Sequence, residues 1–252
     1  MAKSPSEHRF ASFDGQEIAW HELGAGHPVV LLHGLFSHAE MNWLRWGTAQ
    51  VVADAGFRVM LPDLRAHGKS AAPHDRAAYP ADVLALDIEA LVAHLELTKF
   101  DLGGYSLGAR TTTRLLVRGL RPRRAVLAGM GLEGLIGSDK RRNFFLDAIA
   151  NRAIAKQGSD AWMAAQFMKS TGTDPDAVAH VLRSQVQTTS ADLARMMTET
   201  LVVCGADDRD NGSAPDLAHI LPNARYAEIP GTHMSAVTKP DLGREIAAFL
   251  TA

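Results

Sequence analysis

Residues 100–118 read FDLGGYSLGARTTTRLLVR, and the two halves of this stretch call for different backbones. The first half is apolar without alternation, as expected of a strand covered on both faces. The second half repeats its apolar residues at intervals of three and four, which is the helical period. Between them lies Gly104-Tyr105-Ser106-Leu107-Gly108. A sharp strand-to-helix turn holds a serine hydroxyl clear of the backbone, and glycines two residues before and two after let helix and strand approach closely. Ser106 is therefore the candidate nucleophile.

Outward from this turn, covered strand-like runs recur at PVVLLHG (28–34), RVMLPDL (58–64), RRAVLAGM (123–130) and TLVVCG (200–205). Helix-like stretches separate them at 42–56, 79–97 and 107–120. Alternation of this kind predicts a mainly parallel sheet flanked by helices. The start differs, because EHRFASFDG and QEIAWHELG flank an Asp14-Gly15 turn signal and read as an antiparallel hairpin. Strand-like runs cease between about Glu133 and Met197, where 143–156, 160–169 and 176–187 are all helix-like. This predicts a helical cap inserted between two late strands, dividing the chain into core (1–132), cap (133–198) and core (199–252).

Composition narrows the function. In 252 residues, 26 basic side chains against 28 acidic ones give a net charge of −2, so no field favours nucleic acid or an anionic membrane. The single cysteine, Cys204, permits no intramolecular disulfide and no cysteine-based zinc cluster. His27, His33 and His38 lack a recognised metal-ligand spacing, so neither metal nor cofactor is expected. The first residues carry no secretory signal, and no run approaches the ~18 apolar residues of a membrane span. These features predict a soluble cytoplasmic protein.

A serine hydroxyl needs a base within hydrogen-bond reach, and that base needs a carboxylate to orient it. TLVVCG is followed by Ala206-Asp207-Asp208-Arg209-Asp210, and the later run ARYAEIPG by Thr232-His233-Met234. Loops at the carboxyl ends of parallel strands gather reactive groups, and the order Ser, Asp, His suits this elbow. Three acids compete for the orienting role.

In order and spacing, HGLFSH, Trp43, PDLRAHGKS, GYSLG, CGADD and PGTHMSAVTKPDLGREIAAFL together resemble the α/β-hydrolase family, in its compact, cap-bearing form. The resemblance covers nearly the whole chain. It implies Ser106 as nucleophile, His233 as general base and Asp208 as its orienting acid, since the family pattern of Gly, two residues, then Asp runs from Gly205 to Asp208. Asp207 and Asp210 are less favoured. It also implies an oxyanion hole from the backbone N–H groups of Leu35 and Leu107, with Phe36 the second choice for the former, and a structural role for His33. One departure is Ala66, where the family has glycine; its Cβ argues against a positive φ there. Asp63, Arg65 and His67 read as a structural network.

Other residues take plain readings: Cys204 as an inert core thiol, Arg141 and Arg142 as a solvated face, and Trp162, Met163, Phe167 and Met168 as packing within the cap or against the sheet. The implied activity is acyl transfer on a small-molecule ester, a carboxylesterase-like reaction through an acyl-enzyme. Epoxide hydrolases and haloalkane dehalogenases of the family carry aspartate at the elbow, and the former use cap tyrosines; here Tyr79, Tyr105 and Tyr226 all lie outside the cap. A carbon-carbon bond hydrolase, a cofactor-free perhydrolase and a low-turnover small-molecule receptor remain alternatives. Oligomeric state is not legible.

Overall fold

Strands β1 (Ser6–Ala11) and β2 (Glu17–Gly24) pair antiparallel around the Asp14-Gly15 turn. They lead into β3 (His27–Leu32), β4 (Phe57–Pro62), β5 (Asp101–Tyr105), β6 (Arg124–Ala128), β7 (Glu199–Gly205) and β8 (Ala224–Ile229). In the computed structural model, which describes residues 5–252, these form one sheet in the order β1-β2-β4-β3-β5-β6-β7-β8. The six strands from β3 onward run parallel, and β2 joins β4 antiparallel.

Helices cover both faces. On one lie α1 (Thr48–Asp54) and α11 (Pro240–Thr251), and on the other α2 (Val83–His94), α3 (Leu107–Arg118) and α9 (Ala214–Ile220). The two-residue period of a strand sorts the core accordingly. Val29 and Leu31 of β3 pack with Val52, Leu242 and Phe249, while Val30 and Leu32 pack with Ile88, Leu91 and Leu115. Each fully buried aliphatic side chain contributes roughly 1.5–3 kcal/mol, which explains runs with no polar interruption.

Between β6 and β7 come α4 (Leu132–Ile136), α5 (Ser138–Ala150), α6 (Asp160–Ser170), α7 (Pro175–Ser184) and α8 (Ser190–Leu193). Leu135 of α4 and Leu193 of α8 join the cluster of β6, β7 and α9. Ile149, Met168, Val178 and Leu182, from α5 to α7, join instead the cluster of α2 and α3. No helix of the described residues is long and apolar enough to cross a membrane.

Two local expectations are corrected. Residues 42–56 are not one helix: a π-helical turn at Glu40–Leu44 is separated from α1 by Gly47 at φ +79°. Ala66 does adopt a positive φ, of +66°. Its strain, ~1–2 kcal/mol for a residue with a Cβ, is offset by burial in the core and by its N–H donating to Ala71 O at 2.9 Å. Next to it, fully buried Arg65 binds the carboxylates of Asp14 and Asp87, so this loop is over-determined by its surroundings.

Candidate active site

Strand register brings the carboxyl ends of five strands level. Leu32 is opposite Gly104, Tyr105 opposite Ala128, Ala128 opposite Val203, and Gly205 opposite Ile229. The segments that follow β3, β5, β7 and β8 therefore emerge along one edge of the sheet, near the point where β3 and β5 become neighbours.

Ser106 sits between β5 and α3 at φ +53°, ψ −109°, a conformation that costs about 1–3 kcal/mol and survives only when neighbours enforce it. They do so here. The Ser106 N–H donates to Ala128 O at 2.9 Å. A Cβ on Gly104 would lie 2.3 Å from the carbonyl carbon of Gly108, and one on Gly108 only 2.1 Å from Leu32 O. The two glycines are required because α3 is pressed against its own strand and β3.

His233 opens α10 (His233–Ala236), fixed by a reciprocal cap between Thr232 and Ser235. Its Nε2 lies 3.0 Å from Ser106 Oγ and its Nδ1 2.8 Å from Asp208 Oδ2. The Tyr105 hydroxyl donates to His233 O at 2.6 Å, tying the imidazole's backbone to the elbow strand. Asp208 is buried, whereas Asp207 and Asp210 are exposed. Burial alone would raise the Asp208 pKa; the hydrogen bond and charge of His233, the Asp210 N–H and the Cys204 thiol outweigh it and hold the carboxyl below its ordinary value. Cys204 is the inert core thiol expected, and its S–H also donates to Asp208 Oδ2 at 3.4 Å. Burial first, then the Asp208 charge, push its pKa up to about 12, so the thiol stays protonated.

The loop after β3 is braced from beneath. His33 Nε2 accepts the Leu64 N–H at 2.9 Å, so Nδ1 carries the proton and donates to Gly34 O at 2.8 Å. Burial pushes this imidazole down to about 3, and it remains neutral. Gly34 N–H is taken by Asn42 Oδ1 at 3.0 Å. Among the described residues, the N–H groups of Leu35, Phe36 and Leu107 have no protein acceptor, and all three residues line the cavity onto which Ser106 opens.

That cavity measures about 670 Å³. Its walls combine the β3 loop and α3 with α5, α6 and α7 of the insertion. Met163 and Phe167 line it, whereas Met168 is buried in the core. Arg141 and Arg142 are corrected from a solvated face: both are half-buried in the cavity wall, Arg141 paired with Asp210 at 3.1 Å and Arg142 with Asp139 at 2.7 Å. Sequence reasoning missed Asn42 and Arg110. The available signal for Arg110 was its place four residues after Ser106, one helical turn along the same face.

Residues 27–134 match a family model described as the alpha/beta hydrolase fold. A non-heme chloroperoxidase of Kitasatospora aureofaciens is 30% identical over 273 aligned residues, covering 94% of this chain and 97% of that protein. The chain belongs to the α/β-hydrolase family. An esterase from Rhodococcus sp. superposes with a TM-score of 0.74 at 25% identity, over 98% of this chain and 99% of the other. The chain spans only 34% and 41% of the length of two other relatives, the second being the dihydrolipoyllysine-residue acetyltransferase component of the acetoin cleaving system of Pseudomonas putida. Further α/β-hydrolase relatives include a 2-hydroxy-6-oxo-2,4-heptadienoate hydrolase of Pseudomonas putida and an epoxide hydrolase of Caballeronia sordidicola.

Proposed function

We propose that this α/β hydrolase cleaves a small-molecule ester by acyl transfer through Ser106. The observation that carries the reading is the His233 imidazole bridging Ser106 Oγ at 3.0 Å and Asp208 Oδ2 at 2.8 Å. In this reading, Ser106 Oγ attacks the ester carbonyl while His233 Nε2 takes its proton. The anionic tetrahedral oxygen is held by the Leu35 and Leu107 N–H groups, a kind of contact worth ~3–4 kcal/mol per donor. His233 then protonates the departing alkoxide, leaving acyl-Ser106, and the same imidazole activates the water that releases the acid. Asp208 fixes the tautomer and stabilises the imidazolium. Residues 133–198 act as the cap that shapes the acyl cavity.

Turnover of short-chain p-nitrophenyl esters tests this directly. Ser106→Ala is expected to lower kcat by on the order of 10⁶-fold, the loss known for serine in dissected triads. Equal rates in the two proteins would leave a receptor-like role in its place.

One observation favours a second reaction at this site: the chloroperoxidase relative is matched over nearly its whole length. Hydrogen peroxide in place of water would attack acyl-Ser106, releasing a peroxyacid and restoring the serine. Peroxyacid formed from ester plus peroxide, and lost in Ser106→Ala, is the expected signature.

A further inference from the structure

We propose that the ester taken by this cavity carries a carboxylate, and that the guanidinium of Arg110 holds it. This rests on the acyl-transfer reading and adds the substrate's charge to it.

Arg110 lies one turn along α3 from Ser106, its N–H donating to Ser106 O at 3.0 Å. Residues four apart share a helix face, and helical side chains lean back toward the N-terminal turn. That places Arg110 in the wall of the cavity that Ser106 also lines. It is only 7% exposed. Nη2 donates to Gly134 O, but Nη1 has no partner among the described residues.

Its surroundings sharpen the point. The half-buried cavity arginines have carboxylates, Asp210 for Arg141 and Asp139 for Arg142, and Arg45 is exposed to water. Arg110 makes no ion pair with any described residue, although it is the most buried of the four. Burial first, then the charges of Arg142 and Arg141, lower its pKa to about 10, so it remains cationic near neutrality. A buried cation without a counter-ion is strongly unfavourable. The bond to Gly134 occupies Nη2, and Nη1, itself covered from solvent, is left without a partner among the described residues, so the charge of the guanidinium as a whole is uncompensated. A carboxylate on the substrate supplies the missing charge, and Arg is suited to it through its planar donor fork. Leu35, Phe36, Phe145 and Phe167, also in the wall, provide apolar surface for the carbon chain between carboxylate and ester.

The experiment compares mono-p-nitrophenyl succinate, glutarate and adipate with neutral p-nitrophenyl pentanoate, in the wild type, Arg110→Met and Arg110→Lys. In parallel, binding of free succinate, glutarate and adipate is measured by calorimetry. The wild type is expected to prefer at least one half-ester more than tenfold in kcat/KM, mainly through KM. Arg110→Met should bring that ratio near one and abolish dicarboxylate binding, while Arg110→Lys retains part of both. Pentanoate turnover with no preference for any half-ester overturns the carboxylate site and leaves acyl transfer standing; a preference that survives Arg110→Met overturns the assignment to Arg110. If no ester is turned over, the acyl-transfer reading fails, and the binding arm still decides: dicarboxylate binding lost in Arg110→Met upholds the anion site, and absent or unchanged binding removes it. Should Arg110→Met not fold, the wild-type ratio and Arg110→Lys carry the same decision.

Discussion

Asp208 differs from its two acidic neighbours in what it touches. It is buried and receives the His233 ring, while Asp207 is exposed and Asp210 spends its side chain on Arg141. Asp208→Asn replaces an acceptor of the Nδ1 proton by a group that can stabilise the wrong tautomer. Activity is expected to fall about 10⁴-fold, with Asp207→Asn close to wild type; comparable losses in both would place the orienting acid elsewhere. Cys204 belongs to the same small network. Protonated and buried, it should resist iodoacetamide in the folded protein and react on unfolding in denaturant, as mass spectrometry would report. Rapid native alkylation would mean that the thiol is not held as described.

The β5–α3 elbow depends on contacts between backbones. At Gly108 even one methyl would meet Leu32 O at 2.1 Å, and neither β3 nor α3 is free to retreat. Gly108→Ala is therefore expected to cost several kcal/mol, in the upper range for single substitutions, visible as a large drop in Tm together with loss of ester turnover. A variant with unchanged Tm would show that the helix can slide along the sheet. Ala66 teaches the opposite lesson at the loop after β4, where a Cβ at positive φ is accommodated because burial and the bond to Ala71 outweigh the local preference. Glycine preference is a weak guide where the surrounding structure dictates φ.

Across the whole molecule, stability carries a pH dependence set by buried imidazoles. Burial pushes His33 and His67 from 6.5 down to about 3, with the neighbouring His33 adding to the shift at His67. Their pKa values are lower folded than unfolded, so below about pH 6.5 the unfolded chain binds protons that the folded one refuses. Stability is intact above that pH and is lost as pH falls toward 3, by on the order of 1.4 kcal/mol per pH unit for each imidazole. Asp208, held low by His233, adds a loss in the same direction only as pH falls through the acid range below its ordinary value of 3.8. Melting temperatures should hold level above pH 7 and decline steadily below 6; a flat profile from pH 8 to 4 would contradict the neutral buried pair. Much of the molecule was legible beforehand. Local pattern determined the hairpin, the covered strands, the helical stretch between β6 and β7 and the elbow at Ser106, because strand and helix periods and turn chemistry act over a few neighbours; Asp208 and His233 were singled out by the resemblance in motif order and spacing. Tertiary structure alone decided that Ala66 bends the disfavoured way, that Arg141 and Arg142 face a cavity, and that Arg110 has no counter-ion among the described residues, and it set how closely Asp208 meets the ring. Those outcomes depend on which distant groups share a space and how much water remains between them, and that information lies in strand register and helix packing, beyond the reach of short-range pattern.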